Sequence, residues 1–403
     1  MRREPAEGAT TSSLLSGGMV FMELVPHRYA GGGGIFTMKA MSSRERVLCA
    51  LRRERHDRVP VTPLVGHYAA RIFGISIGAY SRSASLLAKS IVAAQRQFGY
   101  DAVYVAADTW VNAEAMGCVL TYPEDSPPFG RPIISSSDEL KNLRLPDPQR
   151  DGRWPLMLRA VELVAKELGN SCCVIGNFDQ SPFSFACQLR GVAEFMYDLI
   201  DSPQFAFDLL EICAKAVIRY AKAMASAGAD VLNTGDAAAS GSLIGAEFYE
   251  RFALPFEQMV FRALADTGCP CVLHICGDSS RILEAMATSG AQGIEVDYQV
   301  DVAEATKRVG DKVCIIGNLN PAHIMSETPD RVYEESKSII EACKAVSGFV
   351  FASGCTIAPA TPPENVHAMV RAARDWGSLS QPETGISGCA LGLTRETRSK
   401  ERG

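Results

Sequence analysis

The sequence predicts a closed (β/α)8 TIM barrel, a single domain with an extended loop insertion over its carboxyl-terminal mouth. Three observations predict it. Eight short apolar runs recur along the 403 residues, at 59–65, 102–107, 172–176, 230–234, 271–274, 293–296, 313–317 and 349–353. Amphipathic stretches at helical period lie between them, such as 206–227, 246–265, 279–289 and 329–346, several stopped by glycine at Gly228, Gly268, Gly290 and Gly348. Composition supplies enough core for one large α/β domain, with 47% hydrophobic residues, 34 Gly and 21 Pro. Strands alternating with helices make a parallel sheet, and eight such units close it on itself.

Residues 1–41 are expected to be a disordered extension, or a stretch upstream of a true start near Met38 or Met41, because the run Gly31 to Gly34 and the polar stretch from Thr10 to Ser16 offer no apolar period. Ser42 and Glu45 have capping-box spacing, and Val47, Leu48 and Leu51 follow at helical period, so a helix is expected over 43–55. The run 59–65 contains Pro60 and Pro63 and is expected as a strand start or edge. The proline-rich insertion 112–154 has little periodicity and is expected to fold over the mouth. Thr361-Pro-Pro-Glu364 opens a last helix that ends near Gly377, and 378–403 reads as a loose polar tail. The barrel thus occupies 42–377.

A net charge of −6 and a pI near 5.7 give no basic surplus, which argues against a nucleic-acid partner. No run of 18 apolar residues occurs, which argues against a membrane span. Thirteen cysteines without a secretory signal read as thiols of a reducing cytoplasm, free for metal or catalytic duty.

In such barrels chemistry sits at the carboxyl ends of the strands. Those ends carry His67, Asp108, Asn177 with Asp179, Asp236, His274 with Cys276, Asp297, Asn318 with Asn320, and Cys355. Alternation along a strand sends His274 and Cys276 to the same side. A His-x-Cys pair alone also fits a buried thiol beside a structural histidine, but Cys355 falls at the same mouth, and one imidazole with two thiolates suits a soft dication such as Zn²⁺. The fourth position is open to substrate or filled by Asp297, Glu295 or Asp236. Two thiolates cancel the charge of the ion, so the centre is a poor water activator and a good binder of a third sulfur.

With those residues in view, the chain resembles the uroporphyrinogen decarboxylase-like superfamily from about Arg44 to Trp376. Within it the chain is most similar to the zinc methyltransferases that move a methyl group from a methylated corrinoid protein to coenzyme M. The His274, Cys276 and Cys355 pattern looks like the zinc motif of those enzymes. The stretch 108–117, Gln188-Leu-Arg-Gly191, Gly235-Asp236 with Phe248-Tyr-Glu-Arg-Phe252, and Gly317-Asn-Leu-Asn-Pro321 match the wider superfamily. The resemblance implies a zinc cofactor, methylcobalamin on a corrinoid protein in trans, and a small thiol acceptor; related proteins use tetrahydrofolate or homocysteine instead. Asp108 and Asp236 are expected to shape the mouth or manage the thiol proton. His67, Asn177, Asn318 and the turn at Gly277 and Asp278 are expected to bind substrate, the turn by presenting helix amides to an anion. The rival within the superfamily is the metal-free decarboxylase, whose Arg-Gln-Ala-Gly-Arg-Tyr motif corresponds here to Thr62-Pro-Leu-Val-Gly-His-Tyr68, without either arginine. A non-enzymatic corrinoid- or zinc-holding accessory protein is the other alternative.

Overall fold

The computed structural model describes residues 41–379. Seven parallel strands follow one another around the sheet: β1 (Ala102–Val105), β2 (Cys173–Gln180), β3 (Val231–Gly235), β4 (Cys271–Ile275), β5 (Gly293–Val296), β6 (Cys314–Leu319) and β7 (Phe349–Ser353). The eighth position belongs to the segment 59–62. Thr62 N–H donates to Phe351 O at 2.9 Å and Phe351 N–H to Pro60 O at 2.9 Å, while Asp101 N–H donates to Val61 O at 2.8 Å. This segment therefore touches both edges and closes the barrel. It forms a single bridge, Val61 to Phe351, where a longer strand was expected. Proline is the reason: Pro60 and Pro63 have no N–H, and Val61 N–H goes to the Asp101 carboxylate at 2.8 Å.

Side-chain alternation sorts the core into two shells. Ala102, Cys173, Ile175, Val272, Cys314 and Val350 face inward, and helix α1 (Ser43–Leu51) plugs the amino-terminal end with Val47, Leu48, Ala50 and Leu51. The capping box between Ser42 and Glu45 forms as expected, and the helix stops at Leu51, short of 55. The outer shell fills the space between strands and return helices.

Two expected helices differ. The stretch 279–289 reduces to Leu283–Met286. The stretch 246–265 breaks into Gly245–Phe248, a π-helical turn over Tyr249–Ala253, and Leu254–Leu264; Pro255, lacking an N–H, stands just after the π turn. The insertion holds a helix (Val111–Ala115), a small hairpin (Leu120–Thr121 with Phe129–Gly130) and a 3₁₀ turn (Ser137–Asn142). It reaches the mouth, where Pro127 lines the central cavity.

The disordered extension expected over 1–41 lies, Met41 apart, outside the described residues, as does the tail beyond Leu379. Ser378 is bridged to Arg58. Among the described residues no helix is long and apolar enough to cross a membrane.

Candidate active site

His274 lies near the end of β4, 8% exposed, and Cys276 is the first residue past that strand. Gly277 turns the chain away at φ +80°, where a Cβ would meet Ser240 Oγ at 3.1 Å. Cys355 follows β7 by two residues. Gly354 before it packs so closely that a Cβ would stand 2.5 Å from Tyr298 N, so only glycine lets Cys355 approach.

His274 Nε2 lies 3.1 Å from Cys276 Sγ, and Cys276 Sγ lies 3.9 Å from Cys355 Sγ. The three donor atoms fall within 4.8 Å of one another. The other imidazole nitrogen, Nδ1, faces the Glu295 backbone oxygen at 3.2 Å and its carboxylate Oε2 at 3.4 Å. Glu295 is fully buried and takes a 2.5 Å hydrogen bond from the Tyr104 hydroxyl on β1, four places around the ring from β5. Beyond that facing imidazole, its Oε2 makes no hydrogen bond among the described residues. A carboxylate behind the imidazole fixes ring orientation and strengthens the nitrogen on the far side as a ligand. One nitrogen and two sulfurs with that support fit a soft dication such as zinc.

Protonation in the metal-free protein follows from the same contacts. Cys276 donates to Cys355, which, against burial and with help from His274, holds the Cys355 thiol down at about 4. Cys276 moves up through that hydrogen bond and through burial. Burial opposes charge on His274, but Cys355 and Glu295 outweigh it and push the imidazole up to about 9. A metal bound by all three would displace the Cys276 and His274 protons.

The trio opens onto a cavity of about 370 Å³. His67, Asp108 and Asn177 line it as expected. Asp108 is not free, however: Arg153 grips both oxygens at 2.5 and 3.0 Å and also holds Glu114 at 2.6 Å. The other candidates face elsewhere. Asp236 is fully buried off the cavity, accepting the Ser184 N–H at 2.7 Å beside Glu257, which in turn takes the Tyr249 hydroxyl at 2.6 Å. Asn318 spends its amide on the Asp297 and Val300 carbonyls at 2.9 and 2.7 Å. Asp278 is exposed and accepts from Ser280 N–H; its turn starts no helix, since the next one begins at Leu283 and has four residues. Of the fourth-ligand candidates, Asp297 accepts from Gln299 N–H and Glu295 stands behind His274.

Residues 42–376 match the family model for uroporphyrinogen decarboxylase (URO-D). The chain belongs to the URO-D family. Its relatives include the methylcobamide:CoM methyltransferase MtbA of Methanosarcina acetivorans, 32% identical over 346 residues, covering 84% of this chain and 99% of the relative. The uroporphyrinogen decarboxylase of Xylella fastidiosa is 30% identical over 355 residues, covering 82% and 98%. A solved methyltransferase from Methanosarcina mazei superposes with a TM-score of 0.76 at 28% identity, covering 83% of this chain and 98% of that one.

In this URO-D family barrel, sequence spacing missed Arg153 and the Tyr104–Glu295 pair. Tyr104 carried one signal, since it lies two residues beyond Ala102 and so faces the same interior. Glu295→Gln keeps the shape and removes the carboxylate behind His274. A dication held by the trio is expected to be retained about 10- to 100-fold more weakly in this variant, measured by competition with a chromogenic chelator.

Proposed function

We propose that this URO-D family member passes the methyl group of a methylated corrinoid to a small thiol, with zinc held by His274, Cys276 and Cys355. The observation that carries the reading is the imidazole and two thiols gathered within 4.8 Å at the base of a cavity that, among the described residues lining it, has no lysine or arginine. A porphyrinogen rich in carboxylates needs such cations, so decarboxylation fits this mouth poorly. Three protein donors leave a metal position for substrate, as in a catalytic site, where a structural site would be closed by four.

Zinc bound there supplies the means to keep an acceptor thiol deprotonated near neutral pH while it stays nucleophilic. The chain does the rest. Tyr104 and Glu295 hold the imidazole in register. Arg153, through Asp108 and Glu114, ties the insertion to the rim. His67, kept neutral by burial and with a buried Nε2 that has no partner among the described residues, is the base in the cavity for the thiol proton. The acceptor sulfur then forms its bond to the methyl carbon as the cobalt–carbon bond breaks and its electron pair stays on cobalt.

A corrinoid macrocycle with its peripheral amides is too large for about 370 Å³, a volume near the lower end for ligand sites. The donor therefore lies across the mouth, carried by a corrinoid protein in trans. The twelve described cysteines are free thiols, and we assign the protein to the cytoplasm on that ground.

The test is metal content on purified protein, then the absorbance change when methylcob(III)alamin is mixed with thiols. Near-stoichiometric zinc with thiol-dependent demethylation is expected. Zinc-loaded protein that demethylates nothing, or metal-free protein that decarboxylates uroporphyrinogen, would overturn the reading.

A further inference from the structure

Strand β2 carries one residue too many beside the cavity. Its register with β3 runs Asn177 to Asn233 and then Gln180 to Gly235, three residues against two. The bulge contains Asp179 at φ +68°, a left-handed conformation that strains most side chains but that Asp and Asn tolerate best. Bulges and strained residues of this kind re-aim side chains at functional sites. Here the result is a carboxyl group 3% exposed that lines the cavity. Its Oδ2 accepts the Asn112 N–H at 2.8 Å, whereas Oδ1, with the Gln180 amide nearby, takes no hydrogen bond from the described residues. Burial pushes the group up to about 8, against the pull of the Asn112 N–H.

Ring order fixes where this oxygen stands relative to the metal trio. Counting 59–62 as the first place, β4 and β7 are the fifth and eighth, so the point midway between them faces the gap between β1 and β2. Asp179 and Asp108 thus occupy the wall opposite the sulfurs. A thiol with its sulfur at the trio extends into the cavity that this wall lines. Asp108 is already paired with Arg153, and the two thiolates cancel the charge of a bound dication, so among the described residues lining the cavity an anion meets no free positive charge.

We infer that Asp179 receives the far end of the methyl acceptor, and that the acceptor is a small thiol ending in a hydrogen-bond donor, an ammonium group above all, rather than in an anion. This rests on the methyl-transfer reading above. It departs from the named relatives, since coenzyme M ends in a sulfonate. A buried anion without a countercharge is disfavoured; an ammonium beside Asp179 favours the ionised carboxylate, which then pairs the cation and accepts its N–H.

Three thiols of one skeleton test it: 2-aminoethanethiol, 2-mercaptoethanol and 2-mercaptoethanesulfonate, each with zinc-loaded full-length protein and methylcob(III)alamin. Expected kcat/KM falls in that order, with at least about a tenfold gap between ammonium and sulfonate, expressed in KM. Calorimetric binding without the corrinoid is expected to give the same order. Asp179→Asn suits the same backbone conformation and is expected to retain zinc while the ammonium preference over hydroxyl collapses to within about threefold. A sulfonate thiol that binds and reacts best, or an order untouched in Asp179→Asn, overturns the inference. The expected binding order with no methylation of any of the three supports the Asp179 site and overturns the methyl-transfer reading instead.

Discussion

Cys355→Ala is expected to reduce bound zinc from about one equivalent to below about a tenth, and to slow methyl transfer at least about 10³-fold, the effect of losing a Lewis acid worth several kcal/mol. Only three protein donors meet at the mouth among the described residues. With one removed, an imidazole and a single thiolate remain, too few to hold the ion against dilution. In the metal-free protein the three groups are already coupled, because Cys276 donates to Cys355 and Cys355 in turn stabilises the charged His274. His274→Ala is expected to behave alike. Cys343→Ser serves as the control, since that thiol is buried on the outer helix Pro329–Cys343 and faces Thr306. It is expected to keep both zinc and rate. Metal analysis and the cobalamin absorbance change report the two quantities separately, and a Cys355 variant that sheds zinc yet transfers at the full rate would exclude the proposed role of the metal.

The trio was legible in the sequence because its geometry is local to strand ends. Alternation puts His274 and Cys276 on one side, and the barrel rule brings Cys355 to the same height. The same rule misplaces Asp236 and Asn318, since it gives the level of a residue and not its direction. Asp236 turns into the Ser184 amide and Glu257, and Asn318 into two backbone carbonyls. Arg153 lies 45 residues beyond the Asp108 it grips, and Glu295 lies 191 residues beyond Tyr104. Pairings at such separations leave no trace in spacing. Asp179 was visible at its strand end, but its role depends on a bulge, and one extra residue in a register appears only when the neighbouring strand is in place.

Asp101→Ala is expected to cost about 3–5 kcal/mol of stability, the range for removing one partner from a buried ionic cluster. Asp101 is fully buried immediately before β1 and accepts five hydrogen bonds: from Ser43 Oγ at 2.6 Å, Arg46 Nη1 at 2.7 Å, both Arg58 Nη atoms at 2.8 Å, and Val61 N–H at 2.8 Å. Three parts of the fold converge on it: the plug helix α1, the closing segment 59–62, and β1. Arg46 retains Asp57 when Asp101 is lost. Arg58 is left with the Val59 carbonyl at 3.0 Å and no carboxylate, and the Val61 N–H loses the acceptor it has at the seam. The exposed pair of Arg96 with Glu167, at 60% and 53% exposure, is the contrast; Arg96→Ala is expected to move stability by less than about 1 kcal/mol. Equilibrium denaturation measures both. The closure also bears on the metal, because Val61 pairs with Phe351 on the strand that presents Cys355. If the closing segment sets the position of β7, Asp101→Ala will release zinc at lower denaturant than it unfolds. Coincident zinc loss and unfolding would show that the mouth is held independently of the seam beneath it.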